Sequence, residues 1–171
     1  MQPLLIILVL LLSSPAVAAA DQRMVDSGAD SLVGLLVDTD AVEYRKARQV
    51  HYVKGRGGLA LVFFTIEGFH GGNNYTFYLA VFEPSWTFDP SRGEAQQHTE
   101  ANIAKYRLVG YSPIGGKAWR FVDFSKFTID KRHIILHTRE YARNDAMCCP
   151  SKPGTAVYEM EDRRLIEVKP N

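Results

Sequence analysis

The sequence predicts a mainly β fold: an antiparallel meander forming a sandwich or a partly open barrel, with a short N-terminal helical segment. Three observations carry this. From Val50 onward the chain runs as apolar, β-branched and aromatic stretches separated by turn signals. Two of those stretches, residues 59–66 and 75–82, are apolar on both alternating sets, the pattern of strands covered on both faces. The strands also follow one another closely with short turns, which favours a meander.

The N-terminal residues are of another kind. Leu4-Leu5-Ile6-Ile7-Leu8-Val9-Leu10-Leu11-Leu12 is an unbroken apolar run, followed by Ser13-Ser14-Pro15 and the small residues Ala16-Val17-Ala18-Ala19-Ala20. Apolar run, polar break and A-x-A-like stretch in that order form a secretory signal peptide. The n-region carries no Lys or Arg, only the α-amino group. A membrane-spanning helix needs roughly 20 apolar residues, and the Ser-Ser-Pro break ends the run too early, so no stable membrane insertion is expected after cleavage. Cleavage near Ala18 or Ala20 divides the chain into a signal peptide, 1–20, and a single β-rich domain, 21–171. No cysteine follows the run to accept a lipid. The expectation is an exported protein, periplasmic or extracellular.

Beyond the leader, Asp30 or Ser31 is placed to cap a short helix through Leu32, Val33, Leu35 and Leu36, and Thr39 a second through Val42, Tyr44 and Ala47. In the first strong strand Leu59, Leu61 and Phe63 alternate with Ala60, Val62, Phe64 and Ile66. In the second, Tyr75, Phe77, Leu79 and Val81 alternate with Tyr78, Ala80 and Phe82. Both are therefore expected to be central. Between them Glu67-Gly68-Phe69-His70-Gly71-Gly72-Asn73-Asn74 is a loop of hairpin length with glycines to take positive φ, so the two strands should pair antiparallel. Residues 83–102, with Pro84, Pro90 and Gly93, read as a long surface connection with a helical turn near 96–101. Strands over 105–111 and 119–129 flank an expected turn at Pro113-Ile114-Gly115-Gly116. Asp130-Lys131-Arg132 then turns the chain into 133–141, and segments 155–160 and 165–168 close it as a hairpin. The helical segment should cover one edge or face of the sheet.

About 150 residues remain after cleavage, enough for one self-sufficient core. Lys plus Arg number 20 and Asp plus Glu 19, a balance that generates no long-range field. Nucleic acid as a partner would call for a basic excess on one element. The nearest approach, Arg45-Lys46-Ala47-Arg48, reads as the solvated face of a helix end.

The unusual feature is the adjacent pair Cys148 and Cys149, the chain's two cysteines. An even cysteine count in an exported protein implies a disulfide, and here each residue has no intramolecular partner but its neighbour. Consecutive Cα atoms lie about 3.8 Å apart, below the usual disulfide span of about 4.4 Å or more. Such a ring closes no loop of consequence, so its role would be local, presenting a flat apolar sulfur edge before Pro150. The alternatives are a reduced structural pair and a metal or redox site. Soft thiolates suit Cu(I) or Zn(II), and the Met147 thioether favours copper, giving Met147, Cys148 and Cys149 as the soft-metal set. Against joint chelation, adjacent side chains in an extended loop point to opposite sides.

The histidines add no metal site. On the expected strand His133 and His137 share a face but lie about 13 Å apart, and His51 and His98 are isolated. His70, in the Gly-rich hairpin loop, is the most available to a ligand. With Asn73, Asn74 and Trp86 it forms a candidate ligand-loop set. Trp86 and Phe88 could be an exposed aromatic contact, although covering the open end of a sheet is the more common use of such residues. Asn74-Tyr75-Thr76 has the spacing of a glycosylation sequon.

No catalytic residues are assigned. Gly110-Tyr111-Ser112-Pro113-Ile114-Gly115 is one residue too long for a nucleophile elbow, and no strand-to-helix turn follows it. Pro150 directly after Cys149 forbids the helix N-terminus that commonly activates a thiol.

Residues 127–168, with Asp145-Ala146-Met147-Cys148-Cys149-Pro150-Ser151 between two strands, together with Tyr78-Leu79-Ala80-Val81-Phe82 after a Gly/Asn-rich turn, resemble a group of exported bacterial proteins of unknown function. The resemblance covers about 100 residues. It implies bacterial export and a shared fold, and no reaction. Where that group carries an Asp/Asn/Gly-rich segment before its first core strand, this chain has Val53-Lys54-Gly55-Arg56-Gly57-Gly58, which lacks the oxygen ligands of a calcium site.

The expected function is therefore a non-enzymatic exported β domain that binds a protein or small ligand through loops 67–74, 84–102 and 143–154, with no cofactor. The rivals are a thiol-based copper or redox protein centred on the cysteine pair, and a structural or assembly factor of the cell envelope.

Overall fold

One helix and nine strands form in the computed structural model, which describes residues 15–53, 58–68, 74–86, 103–130, 132–162 and 164–169. They are α1 (Pro15–Leu36), β1 (Ala41–Glu43), β2 (Gln49–Tyr52), β3 (Ala60–Gly68), β4 (Asn74–Trp86), β5 (Ile103–Gly116), β6 (Arg120–Asp130), β7 (His133–Glu140), β8 (Lys152–Glu161) and β9 (Arg164–Val168). A single 3-10 turn, Arg45–Ala47, separates β1 from β2. All strand pairs are antiparallel, in the order β1-β3-β4-β5-β6-β7-β8-β9, with β2 also on β3. The sheet does not close.

β3 and β4 are central and covered on both faces, as their double apolar pattern requires. Leu61, Phe63, Phe77, Leu79 and Val81 point into one core, where they meet Ile114, Val122, Phe124, Leu136 and Tyr158 from the later strands. Ala60, Val62, Phe64, Ile66, Ala80 and Phe82 point the other way, onto Val25, Ala29, Leu32 and Val33 of α1. The spacing of those four helix residues (i, i+4, i+7, i+8) makes the apolar stripe of a docked helix. The molecule is thus layered: helix, then β1 to β5, then β6 to β9 folded over the opposite face. The fold-over occurs where β5 and β6 pair through Gly116 and Arg120 alone.

Two local expectations need correction. The two short helices capped at Asp30 or Ser31 and at Thr39 are instead one long helix ending at Leu36, then a strand. Asp30 is drawn into ion pairs with Arg45 and Arg48 at 3.0 and 2.7 Å, and the Ser31 hydroxyl donates to the Ser27 carbonyl, so neither caps a helix. Val42 lies in β1, whose pairing with residues 66–68 of β3 overrides any local helical preference. Arg48, its side chain 5% exposed, also donates to both Glu43 oxygens at 2.7 and 2.6 Å and so ties α1 to β1 and β2.

The second correction concerns Pro113-Ile114-Gly115-Gly116, which lies inside β5; the turn follows at residues 117–119. Tyr78 pairs with Pro113 and Phe77 with Gly115, leaving Ile114 as a bulge residue buried in the core. Proline is tolerated in a strand at such a bulge. The glycines serve close approach: a Cβ on Gly116, at φ 151°, would lie 2.5 Å from the Tyr75 carbonyl oxygen. Strand β4 runs on through Pro84 to Trp86, past the expected end at Phe82. The expected helical turn near 96–101 lies outside the described residues.

Candidate functional site

The cysteine pair sits at the tip of the loop joining β7 to β8, and both residues are exposed. Their sulfurs lie at disulfide distance from each other, with Cα atoms 3.8 Å apart. A turn at 147–148 brings both side chains to one side. That corrects the expectation that neighbours in an extended loop point apart. Met147 beside them is 64% exposed. Met147, Cys148 and Cys149 follow one another along this exposed tip, and the thiolates that a soft metal would need exist only once the disulfide is reduced. Among the described residues no group of three or more His, Cys, Asp or Glu side chains is placed to hold a metal ion.

Asp145 organises the stem. Its carboxylate accepts hydrogen bonds from the Ala142 N–H at 2.8 Å, the Ser151 N–H at 2.7 Å and the Ser151 hydroxyl at 2.8 Å. These donors, the Ala142 N–H foremost, hold the carboxyl below its ordinary value of 3.8. The Cys149 N–H donates to the Ala146 carbonyl at 2.9 Å, and the Tyr141 hydroxyl donates to the Met147 carbonyl. Both flanks of the sulfur ring are thus fixed through backbone groups.

Asp145→Ala is expected to accelerate amide exchange at Ala142 and Ser151 while leaving the ladder between β7 and β8 protected. Because the folded carboxyl is depressed, its hold is complete above pH 3.8 and is lost as pH falls through the lower folded value. Exchange rates followed by NMR check both statements. Uniform acceleration across β7 and β8 would contradict them.

The remaining candidates are divided. His70 and Asn73 lie outside the described residues. Asn74 opens β4, exposed, and is paired with Gly68. This hairpin end and the cysteine loop emerge at the same end of the sheet, since Gly116 pairs with both Thr76 and Arg120, and Arg120 with Glu140. Trp86 lies at the far end of β4, half-buried, on the order of 40 Å along the strand from Asn74. Asn74 and Trp86 therefore do not share one site.

His133 and His137 do share the outer face of β7, and His133 faces Glu159 at 3.8 Å. His51 stacks edge-on to Phe63 and Phe127, and burial lowers its pKa.

Among the described residues, two grooves open on the surface. One of about 510 Å³ lies between α1 and β5, lined by Arg23, Met24, Ser27, Gly28, Ser31, Lys105 and Tyr106. The other, of about 470 Å³, runs between β5 and β9, lined by residues 108–111 and 164–166. Neither gathers a histidine, cysteine or carboxylate.

A cluster that strand periodicity did not single out centres on buried Arg120 and Tyr158 beneath the fold-over, with Glu167 at its exposed rim. Arg120 donates to the Ile114 carbonyl at 2.7 Å, to both Glu167 oxygens at 2.7 and 2.6 Å, and to the Tyr158 hydroxyl at 2.8 Å. The Tyr158 hydroxyl donates in turn to Glu167 at 3.1 Å. Burial raises the Tyr158 pKa, and the hydrogen bond from Arg120 lowers that of Glu167. With every member partnered, this cluster joins β5, β6, β8 and β9 as a structural lock. Among known proteins, no family model, no curated sequence and no solved structure matches this chain.

Proposed function

We propose that the chain is a non-enzymatic domain of a bacterial protein exported to the periplasm or beyond, which binds a protein or small ligand through the loops at one end of its sheet. The observation that carries this reading is the tip at 147–149. An exposed methionine and two exposed cysteines form the tip of a stem that the Asp145 carboxylate ties together. Exposed apolar groups on an ordered projection suit recognition more than catalysis. Export is supported by the leader-like residues 4–20 and by the position of the helix contacts. Val25, Ala29, Leu32 and Val33 all lie beyond Ala20, so removal of residues 1–20 leaves these four core residues in the chain. Among the described residues no helix is long and apolar enough to cross a membrane.

A photoreactive residue placed at Met147 in the exporting cell is expected to give a discrete adduct, whereas the same residue at exposed Lys126 on β6 gives none. Equal labelling from both positions, or turnover abolished by changing one polar loop residue, would overturn the reading.

A further inference from the structure

Among the described residues, none of the hydrogen bonds that shape the 141–151 loop uses a sulfur atom. The Asp145 contacts to Ala142 and Ser151, the Cys149 N–H to Ala146, and the Tyr141 hydroxyl to Met147 are made by carboxylate, hydroxyl and backbone groups, which oxidation or reduction of the cysteines does not alter chemically. The strands on either side are paired from Glu140 and Lys152 onward. A ring between adjacent residues also constrains almost no chain in the unfolded state, so opening it removes little stability. Both cysteines are open to an attacking group.

We propose that the tip is a site of thiol–disulfide exchange whose substrate is a dithiol, and that opening and closing of the ring is confined to residues 141–151. This rests on the tip being the exposed contact surface described above. One thiolate of the dithiol attacks a ring sulfur. The Cys148–Cys149 S–S bond breaks, a mixed disulfide forms, and the electron pair leaves on the other cysteine, which takes up a proton. The second thiolate of the dithiol then attacks its own sulfur in the mixed disulfide. It closes the dithiol's disulfide and releases the second cysteine, which is protonated. In sum the dithiol loses two electrons and two protons, and the cysteine pair gains them. The reverse sequence oxidises the pair. Because the freed cysteine remains next to the mixed disulfide, it can attack back, which makes any adduct with a monothiol short-lived.

The test uses the purified exported protein with dithiothreitol, followed by alkylation and intact mass, with amide NMR recorded in both states. The expected result is a folded species carrying two alkyl groups, with shift changes confined to 141–151. Cys149→Ser, and Cys148→Ser as its mirror, should each hold a glutathione adduct at least tenfold longer than the wild type, because the return attack is gone. A pair that resists dithiol in the folded state would overturn the proposal, as would shift changes spread across β7 and β8, or adducts on both variants released as fast as from the wild type. The binding reading stands or falls separately on labelling at Met147. Loss of that labelling with exchange intact removes the partner, and the converse removes the redox step.

Discussion

Arg120→Met is expected to destabilise the folded chain by about 3 kcal/mol, because it removes one member of a buried, fully hydrogen-bonded charge cluster. The Arg120 side chain is 6% exposed, and the substitution removes the donor to the Ile114 carbonyl and to the Tyr158 hydroxyl beneath the fold-over, although that hydroxyl keeps its own bond to Glu167. Glu167, at 40% exposure, recovers part of its hydration, which keeps the cost below that of a fully buried pair. Glu167→Gln should cost less, about 1–2 kcal/mol, since the amide keeps shape and some hydrogen bonding. The Glu167 carboxyl is depressed in the folded state, so its contribution is complete above the ordinary value of 4.5 and is lost as pH falls through the folded value. The difference between wild type and Glu167→Gln should therefore shrink in acid. Urea unfolding at pH 7 and pH 3 measures this. A loss under about 1 kcal/mol for Arg120→Met would show that the cluster does not hold the two layers together.

Gly116→Ala is expected to be comparably damaging, at about 3 kcal/mol, from backbone strain and steric overlap combined. Its φ of 151° lies where L side chains rarely go, and the new Cβ would come within 2.5 Å of the Tyr75 oxygen and 3.1 Å of the Thr76 Cα. The obstruction is backbone on the neighbouring strand, which cannot swing aside as a side chain would. Gly116 is also the residue through which β5 pairs with β6, so displacement there should loosen the packing of Val122 and Phe124 on Phe77. Gly115→Ala is a companion test, with its Cβ 2.7 Å from the Arg120 carbonyl oxygen and 2.9 Å from Val122 Cγ2. Chemical denaturation with near-ultraviolet circular dichroism reads both variants. Wild-type stability in Gly116→Ala would mean that the two strands do not approach so closely.

The faces of β3 and β4 were legible because strand geometry has a period of two. Leu61 and Phe63 enter one core, Val62 and Phe64 the other, as their alternation requires. The helix limits were not legible, since the fate of Asp30 depends on arginines that arrive 15 and 18 positions later in the chain. The Gly115-Gly116 pair carried a turn signal, yet its use is close approach to Tyr75, which no local pattern announces. At the site, the adjacency of Cys148 and Cys149 pointed to their mutual pairing. The role of Asp145 came from Ser151, six residues on, being folded back to meet it.

By itself the sequence determined the antiparallel β class and the two-faced burial of the central strands, and it left each cysteine with its neighbour as its one possible disulfide partner in the chain. Each follows from periodicity or adjacency along the chain. Only the tertiary structure decided which face of β3 and β4 the helix α1 covers, that β6 to β9 fold back over the other, and that Arg120 is buried between Tyr158 and Glu167. Those outcomes depend on which distant surfaces exclude water together and which buried charges find partners, and neither is written in local order.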